Sequence, residues 1–252
     1  MPETGRIKLA GFLAQAGLAA AIGCALAALG AGLGHRFGWW GYRAGIATLV
    51  YVFWIAVGAV AVCTVAALLA ATSANARRAL FMGLAGAAIA SITAWVPYDL
   101  RMAARAVPPI HDITTDIVDP PRFVRAATLR KLDDHPAAYD GPTVGEQQKK
   151  AYPDLAPLVL TAPRDKVFAA AQGTLVSMGL DVIDADPAQG RIEATATSLL
   201  FGFKDDVVVR IAGDAGVTKV DVRSKSRVGR NDFGVNAKRI RAFLARLKAA
   251  VG

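Results

Sequence analysis

KDDVVVRIAGDAGVTKVDVRSKS, residues 204–226, decides how the second half of the chain folds. Two β-rich runs, 204–212 and 217–226, flank Gly213, Asp214, Ala215 and Gly216, residue types that turn easily. The pattern predicts an antiparallel hairpin turning at 213–216. That register sets Asp206 across from Arg223 and Val208 across from Asp221, so a cross-strand ion pair accounts for Asp206. Upstream, Ile192, Ala194 and Ala196 alternate with Arg191, Glu193 and Thr195, the period of a half-buried strand. The turn-forming run 186–190 leads back to a strand at 180–185, and 158–161 reads as a further short strand.

Two helices complete the pattern. Pro163 opens the first, Asp165 suits the dipole of its first turn, and Gly179 stops it. Val167, Phe168, Ala171, Leu175 and Met178 keep helical spacing. Asp232 caps the second, whose buried stripe is Ile240, Phe243, Leu244, Leu247 and Val251. The order strand, helix, four strands, helix predicts an α+β domain over 158–252. Its antiparallel sheet of four to five strands is covered on one face by two helices. Ahead of it, 98–157 is punctuated by Pro108, Pro109, Pro120, Pro121, Pro136, Pro142, Pro153 and Pro157 and reads as an extended strap. Within it 110–116 is a short strand or a packed strap, and a short helix falls near 145–151.

The first 97 residues differ in kind. Runs 9–33, 44–71 and 80–96 contain no charged residue, and Gln15 is the nearest polar intruder. The first two exceed the ~20 apolar residues that cross a ~30 Å hydrocarbon core, and the third is at the short end. Trp95 and Tyr98 suit an interface. Three spans thus form an anchor, and the first is too long for a cleaved signal segment. Charged groups within a bilayer mark transport paths and relays. Their absence makes the bundle an anchor rather than a conduit. Small residues four apart (Gly30 and Gly34, Gly83 and Ala87, Gly86 and Ala90) permit close helix packing. Flanking arginines and lysines nearly balance across the two sides. The first helix then favours a cytoplasmic N-terminus and a domain outside the inner membrane. Both cysteines, Cys24 and Cys63, lie within the apolar runs, so the domain has neither disulfides nor thiolate ligands.

Charge is uneven. Residues 217–252 hold 10 basic and 2 acidic residues, net +8. Lys219, Arg223, Lys225 and Arg227 share one side of a strand, and Arg230 precedes the last helix, whose N-terminal N–H groups attract anions. The functional reading is a site for a phospholipid head, phosphate or carboxylate; the plain reading is a solvated face. Asp205-Asp206 reads either as an acid/base or metal pair or as part of an ion pair. His111-Asp112 reads as a weak metal motif or a hydrogen-bonded strap. No phosphate loop, nucleophile elbow or Cys/His cluster occurs, so no cofactor is expected. The pI of about 9.8 comes without a basic–aromatic stacking platform, which sets nucleic acid aside.

Three ordered blocks carry a family resemblance. They are 109–116 with 119–123; Ile192–Ala196 by position with 201–207; and 220–229 followed by Asp232, Gly234, Asn236, Arg239 and Ile240. Together they resemble domain-of-unknown-function family 1499 over about 108–250, and the helices ahead of them resemble an arrangement in bacterial members. The resemblance implies no activity and transfers no catalytic residue. It directs attention to 201–206 and 223–239. The candidate ligand-binding residues are Arg223, Arg227, Arg230, Asn236, Arg239, Asp206, His111 and Asp112. The favoured reading is a non-enzymatic anchored module binding an anionic lipid, envelope component or protein. The alternatives are a membrane-bound hydrolase using Asp205, Asp206 or His111, and a structural subunit of a membrane complex.

Overall fold

The structure, a computed structural model, describes residues 2–214 and 216–252. The chain forms two compact units. One holds the N-terminal helices through Met102 together with Leu199–Gly202; the other holds Ala103–Ser198 and Phe203–Gly252.

The first unit contains α1 (Glu3–Arg36), α2 (Tyr42–Ala71) and most of α3 (Arg77–Ala106), each long and apolar enough to cross a membrane. Its packing is inverted relative to a water-soluble bundle. Small residues fill the interior (Ala10, Ala14, Ala21, Ala56, Ala66 and Ala90), whereas Phe12, Trp54, Phe81 and Ile92 are each more than 60% exposed. That distribution suits lipid, which solvates large apolar side chains and leaves close backbone packing to hold helices together. A Cβ on Gly83 would lie 2.9 Å from the Cys63 carbonyl oxygen, so α2 and α3 approach at a position only glycine allows. Gly86 likewise packs on Cys63 Sγ. Of the predicted small pairs, Gly34 instead seats the Trp40 ring.

The third apolar run ends before Pro97, but the helix that carries it does not. α3 continues through that proline to Ala106. Proline removes one backbone hydrogen bond and bends a helix, and membrane helices tolerate this where neighbours support the turn. The tip between β4 and β5 of the sheet described below, Leu199–Gly202, also belongs to the helical unit. Arg36 Nη1 donates to the Leu199 carbonyl at 2.6 Å, and the Leu200 side chain covers Gly32.

The second unit is α+β. Its strands are β1 (Asp112–Thr114), β2 (Leu158–Leu160), β3 (Asp181–Asp186), β4 (Arg191–Thr197), β5 (Lys204–Asp214) and β6 (Val217–Ser226). The helices are α4 (Arg125–Leu129), α5 (Pro142–Ala151), α6 (Arg164–Ser177) and α7 (Val235–Val251). Strands β3 to β6 form the expected antiparallel meander. Both β1 and β2 add to the outer edge of β6, making a six-stranded sheet in which β1-β6-β5-β4-β3 run in order and β2 pairs with β6 beside β1. Within the strap, the stretch 110–116 therefore contributes a strand, and 98–106 is the end of α3.

The register differs from the sequence expectation. Asp214 pairs with Val217, so the hairpin closes over two residues, of which Ala215 lies outside the described residues. Gly216 supplies the positive φ (87°) that such a tight turn requires. Every pairing moves by two. Asp206 faces Lys225, Val208 faces Arg223 and Arg210 faces Asp221. The predicted pairing of Asp206 with Arg223 is corrected accordingly.

One face of the sheet forms the apolar core. Ile192, Ala194, Val207, Val209, Ile211, Val220 and Val222 pack under Phe168, Leu175, Ile240, Phe243 and Leu247 of α6 and α7. Helix α6 ends as its Gly179 predicts. That residue has φ 77°, the Leu180 N–H reaches the Leu175 carbonyl at 3.1 Å, and the Gly179 N–H reaches that of Val176 at 2.9 Å. Asp232 serves α7 from ahead of its first turn, accepting from the N–H groups of Gly234 (2.9 Å) and Asn236 (2.8 Å). Burial raises the Asp232 carboxyl pKa, although these two N–H groups oppose the shift.

Candidate functional site

Side chains alternate across a sheet, so the residues between the core positions share the opposite face. There they are Glu193 and Thr195 on β4, Asp206, Val208 and Arg210 on β5, and Asp221, Arg223 and Lys225 on β6. This face is not left to solvent. The proline-rich segment covers it, and charged groups make the contact.

Asp112 is fully buried. Arg223 grips it through Nε–Oδ1 and Nη2–Oδ2, both 2.8 Å, and Lys225 Nζ lies 3.2 Å from Oδ2. Arg223 also donates to the carbonyls of Pro121 (3.2 Å) and Ala137 (3.0 Å). Its guanidinium carbon lies 4.8 Å from the Phe123 ring centre and 5.4 Å from that of Tyr139. Cation–π attraction at desolvated sites of this kind contributes up to ~2 kcal/mol. Lys225 Nζ donates to the Ala138 carbonyl (2.7 Å) and meets Asp140 Oδ1 at 2.5 Å. Burial, then the nearby Asp112 charge, pushes the Tyr139 hydroxyl up to about 12.

A second centre forms around Asp206, also fully buried. Arg227 Nη2 donates to Oδ1 at 2.8 Å, Arg130 Nη2 lies 2.9 Å from Oδ2, and the Thr195 hydroxyl donates to Oδ1 at 3.1 Å. Glu193 makes the third. Its carboxylate accepts the N–H groups of Val124 (2.8 Å), Arg125 (3.1 Å) and Ala126 (2.8 Å), which fixes the start of α4. Bidentate guanidinium grips and carboxylates satisfied by several N–H groups are the geometry in which buried charge is tolerated.

His111 joins this layer to the helix-covered face. Its ring stacks on His135 (centroids 4.1 Å apart), and its Nε2 lies 3.4 Å from Asp140 Oδ2. Burial lowers the His111 pKa, with the His135 charge acting in the same direction and Asp140 against it. Its carbonyl accepts from Asn236 Nδ2 at 3.2 Å. On that face Arg239 Nη2 reaches Asp205 at 2.8 Å, and Arg239 Nη1 reaches the Ser224 hydroxyl at 3.0 Å. Asn236 and Ser224 share a 2.6 Å hydrogen bond.

The structure therefore gathers Arg223, Arg227, Asp206 and Asp112 on the strap-covered face and places Asn236 and Arg239 on the other. Arg230 is exposed and stands outside both groups. Asp205 and Asp206 point to opposite faces and do not meet as a carboxylate pair. Nor do Asp205 and Asp206 both lie beside Arg223 and Ser224: Asp206 belongs with Arg227 and Arg130, and Asp205 with Arg239. Among the described residues, no group of three or more His, Cys, Asp or Glu side chains is arranged to hold a metal ion. Sequence reasoning missed Arg130, Asp140, Glu193, Phe123 and Tyr139. A signal was present: three neighbouring strands carry charges of both signs on one face, which calls for a cover with complementary charge.

These features define a class: an α+β domain with an ionic layer on one sheet face, following three membrane-length apolar helices. Residues 112–247 match the family described as "Protein of unknown function (DUF1499)", and the chain belongs to it. No curated protein and no solved structure matches the chain.

Proposed function

We propose that this is an inner-membrane protein with a cytoplasmic N-terminus. Its α+β domain, on the periplasmic side, is a non-enzymatic module that binds anionic lipid headgroups. The loop 229–234 carries this reading. Asn231 Nδ2 donates to the Ala104 carbonyl at 3.0 Å, which ties the loop to the last turn of α3. Phe233 (37% exposed) and Val235 (43% exposed) lie in the same stretch of chain as the exposed cations Arg230 and Lys238. Phe233 holds a positive φ of 55°, fixed by its N–H on Asn231 Oδ1 at 2.7 Å. A left-handed non-glycine residue is costly and persists where the surroundings demand it.

Ala104 follows Tyr98, a residue suited to the bilayer interface, by six positions in the sequence. Apolar side chains ringed by cations are the composition that anionic surfaces attract. The buried arginines fit this reading as scaffold, since their partners are internal carboxylates and carbonyls.

The test uses full-length protein in liposomes with an environment-sensitive fluorophore on Val235→Cys; the native cysteines are buried among the apolar helices. Phosphatidylglycerol is expected to blue-shift the emission relative to phosphatidylcholine. High salt or Arg230→Glu with Lys238→Glu is expected to reverse the shift. Identical emission in the two lipids would overturn the headgroup reading. For orientation, alkaline phosphatase fused after Gly252 is expected to be active, and a fluorescent protein at the same point dark. The reverse result would place the domain in the cytoplasm.

A further inference from the structure

An open cleft of about 330 Å³ lies where 119–124 borders the sheet on the charged face. Pro120, Pro121, Val124 and Val208 give it apolar walls, and three arginines line it: Arg122, Arg191 and Arg210. Arg191 and Arg210 sit directly opposite each other across β4 and β5. Like charges in that position repel unless anions stand close by. Arg191 has Asp184 at 3.0 Å and Glu193 at 3.2 Å. Arg210 is backed by Asp221 at 2.9 Å and Asp116 at 3.3 Å.

The remaining edge of Arg210 meets a different kind of partner. Its Nη1 lies 2.7 Å from Asp119 Oδ2, on a side chain that is 71% exposed. An exposed pair of this kind is weak and is readily exchanged for another anion. Arg122, at the same cleft, is exposed and has no ionic or hydrogen-bond partner among the described residues.

We propose that this cleft binds a small carboxylate bearing a short apolar group, held by Arg210 and Arg122, and that Asp119 is the internal carboxylate it displaces. A planar carboxylate matches a guanidinium edge that already holds one. The apolar walls accommodate the remainder of the ligand. Asp116, Asp221, Glu193 and Asp184 surround the arginines, so a monoanion is favoured over a dianion such as phosphate. The site is separate from the lipid-facing loop and does not depend on it.

Titration calorimetry on the full-length protein in detergent, at constant ionic strength, tests this with sodium benzoate as probe and sodium phosphate as comparison. Saturable benzoate binding is expected. Losing one charged hydrogen-bonding partner in Arg122→Ala should weaken it about tenfold or more. Asp119→Asn should tighten it, because the internal competitor loses its charge. Both side chains are exposed, and an unchanged unfolding temperature confirms that each variant is folded. Non-saturating heats, or benzoate affinity unmoved by either substitution, would overturn the site. Phosphate binding more tightly than benzoate would overturn the assignment to a monoanion.

Discussion

Asp112→Asn is expected to destabilise the α+β unit by about 3–5 kcal/mol, the usual cost of removing one partner from a buried ion pair. Arg223 would keep its charge with neither water nor a carboxylate to receive it, and of its two carboxylates Lys225 would retain Asp140. For a unit of this size the loss corresponds to a fall in unfolding temperature on the order of 10 °C. Thermal unfolding of the full-length protein in detergent measures it, with proteolysis between residues 116 and 140 reporting local release of the strap. A combined change of Asp112→Leu, Arg223→Met and Lys225→Met should recover much of the stability, because the desolvation cost disappears with the charges. A single-variant loss below about 1 kcal/mol would mean that water reaches this site, contrary to the complete burial of Asp112.

The neighbouring aspartates at 205 and 206 provide the second large effect. Asp206→Asn leaves Arg130 and Arg227 facing a neutral amide in the interior and is expected to cost about 3–5 kcal/mol. Asp205→Asn weakens a partly exposed contact with Arg239 on the opposite face and should cost only about 1 kcal/mol. Unfolding temperatures of the two variants, compared under one set of conditions, read the asymmetry. Equal effects would contradict the assignment of these residues to opposite faces. The Asp206 measurement also bears on the hydrolase alternative. Activity lost from a protein of unchanged stability would point to chemistry, whereas loss in step with unfolding is the signature of a scaffold.

Much of the fold can be read in the residues, and the reason differs by region. The three apolar runs stand out because a bilayer admits no charge, so their composition carries the information alone. The meander is legible in the two-residue alternation of 191–197 and in the β-rich runs that flank 213–216, and the end of α6 in Gly179. Register was harder. A turn at 213–216 and a closure at Asp214–Val217 share almost the same residues, yet they exchange every partner of Asp206. The end of the third apolar run at 96 marks where composition changes, and the helix continues past it to Ala106. The ionic layer was the least visible element. Asp112, Asp206 and Glu193 have the composition of surface residues, and their partners lie up to 111 positions away in sequence. No local period encodes such pairings. Of the candidate site residues, the fold draws four into that layer and leaves Arg230 in the open.

Gln148 occupies backbone groups at one edge of the sheet. β1 is a short edge strand whose outer side would otherwise offer backbone groups to any passing chain. The buried Gln148 amide occupies that side, accepting the Thr114 N–H at 2.9 Å and donating to the Thr114 carbonyl at 2.6 Å. At the far edge β3 carries Asp181, Asp184 and Asp186 and an irregularity between Val182 and Asp184. β1 is plugged by a side chain acting as a surrogate strand, and β3 is charged and irregular. A domain tethered to a membrane meets its copies at high local concentration, where an open margin would seed stacking of sheets. Each device removes backbone positions at which a second copy could add a strand.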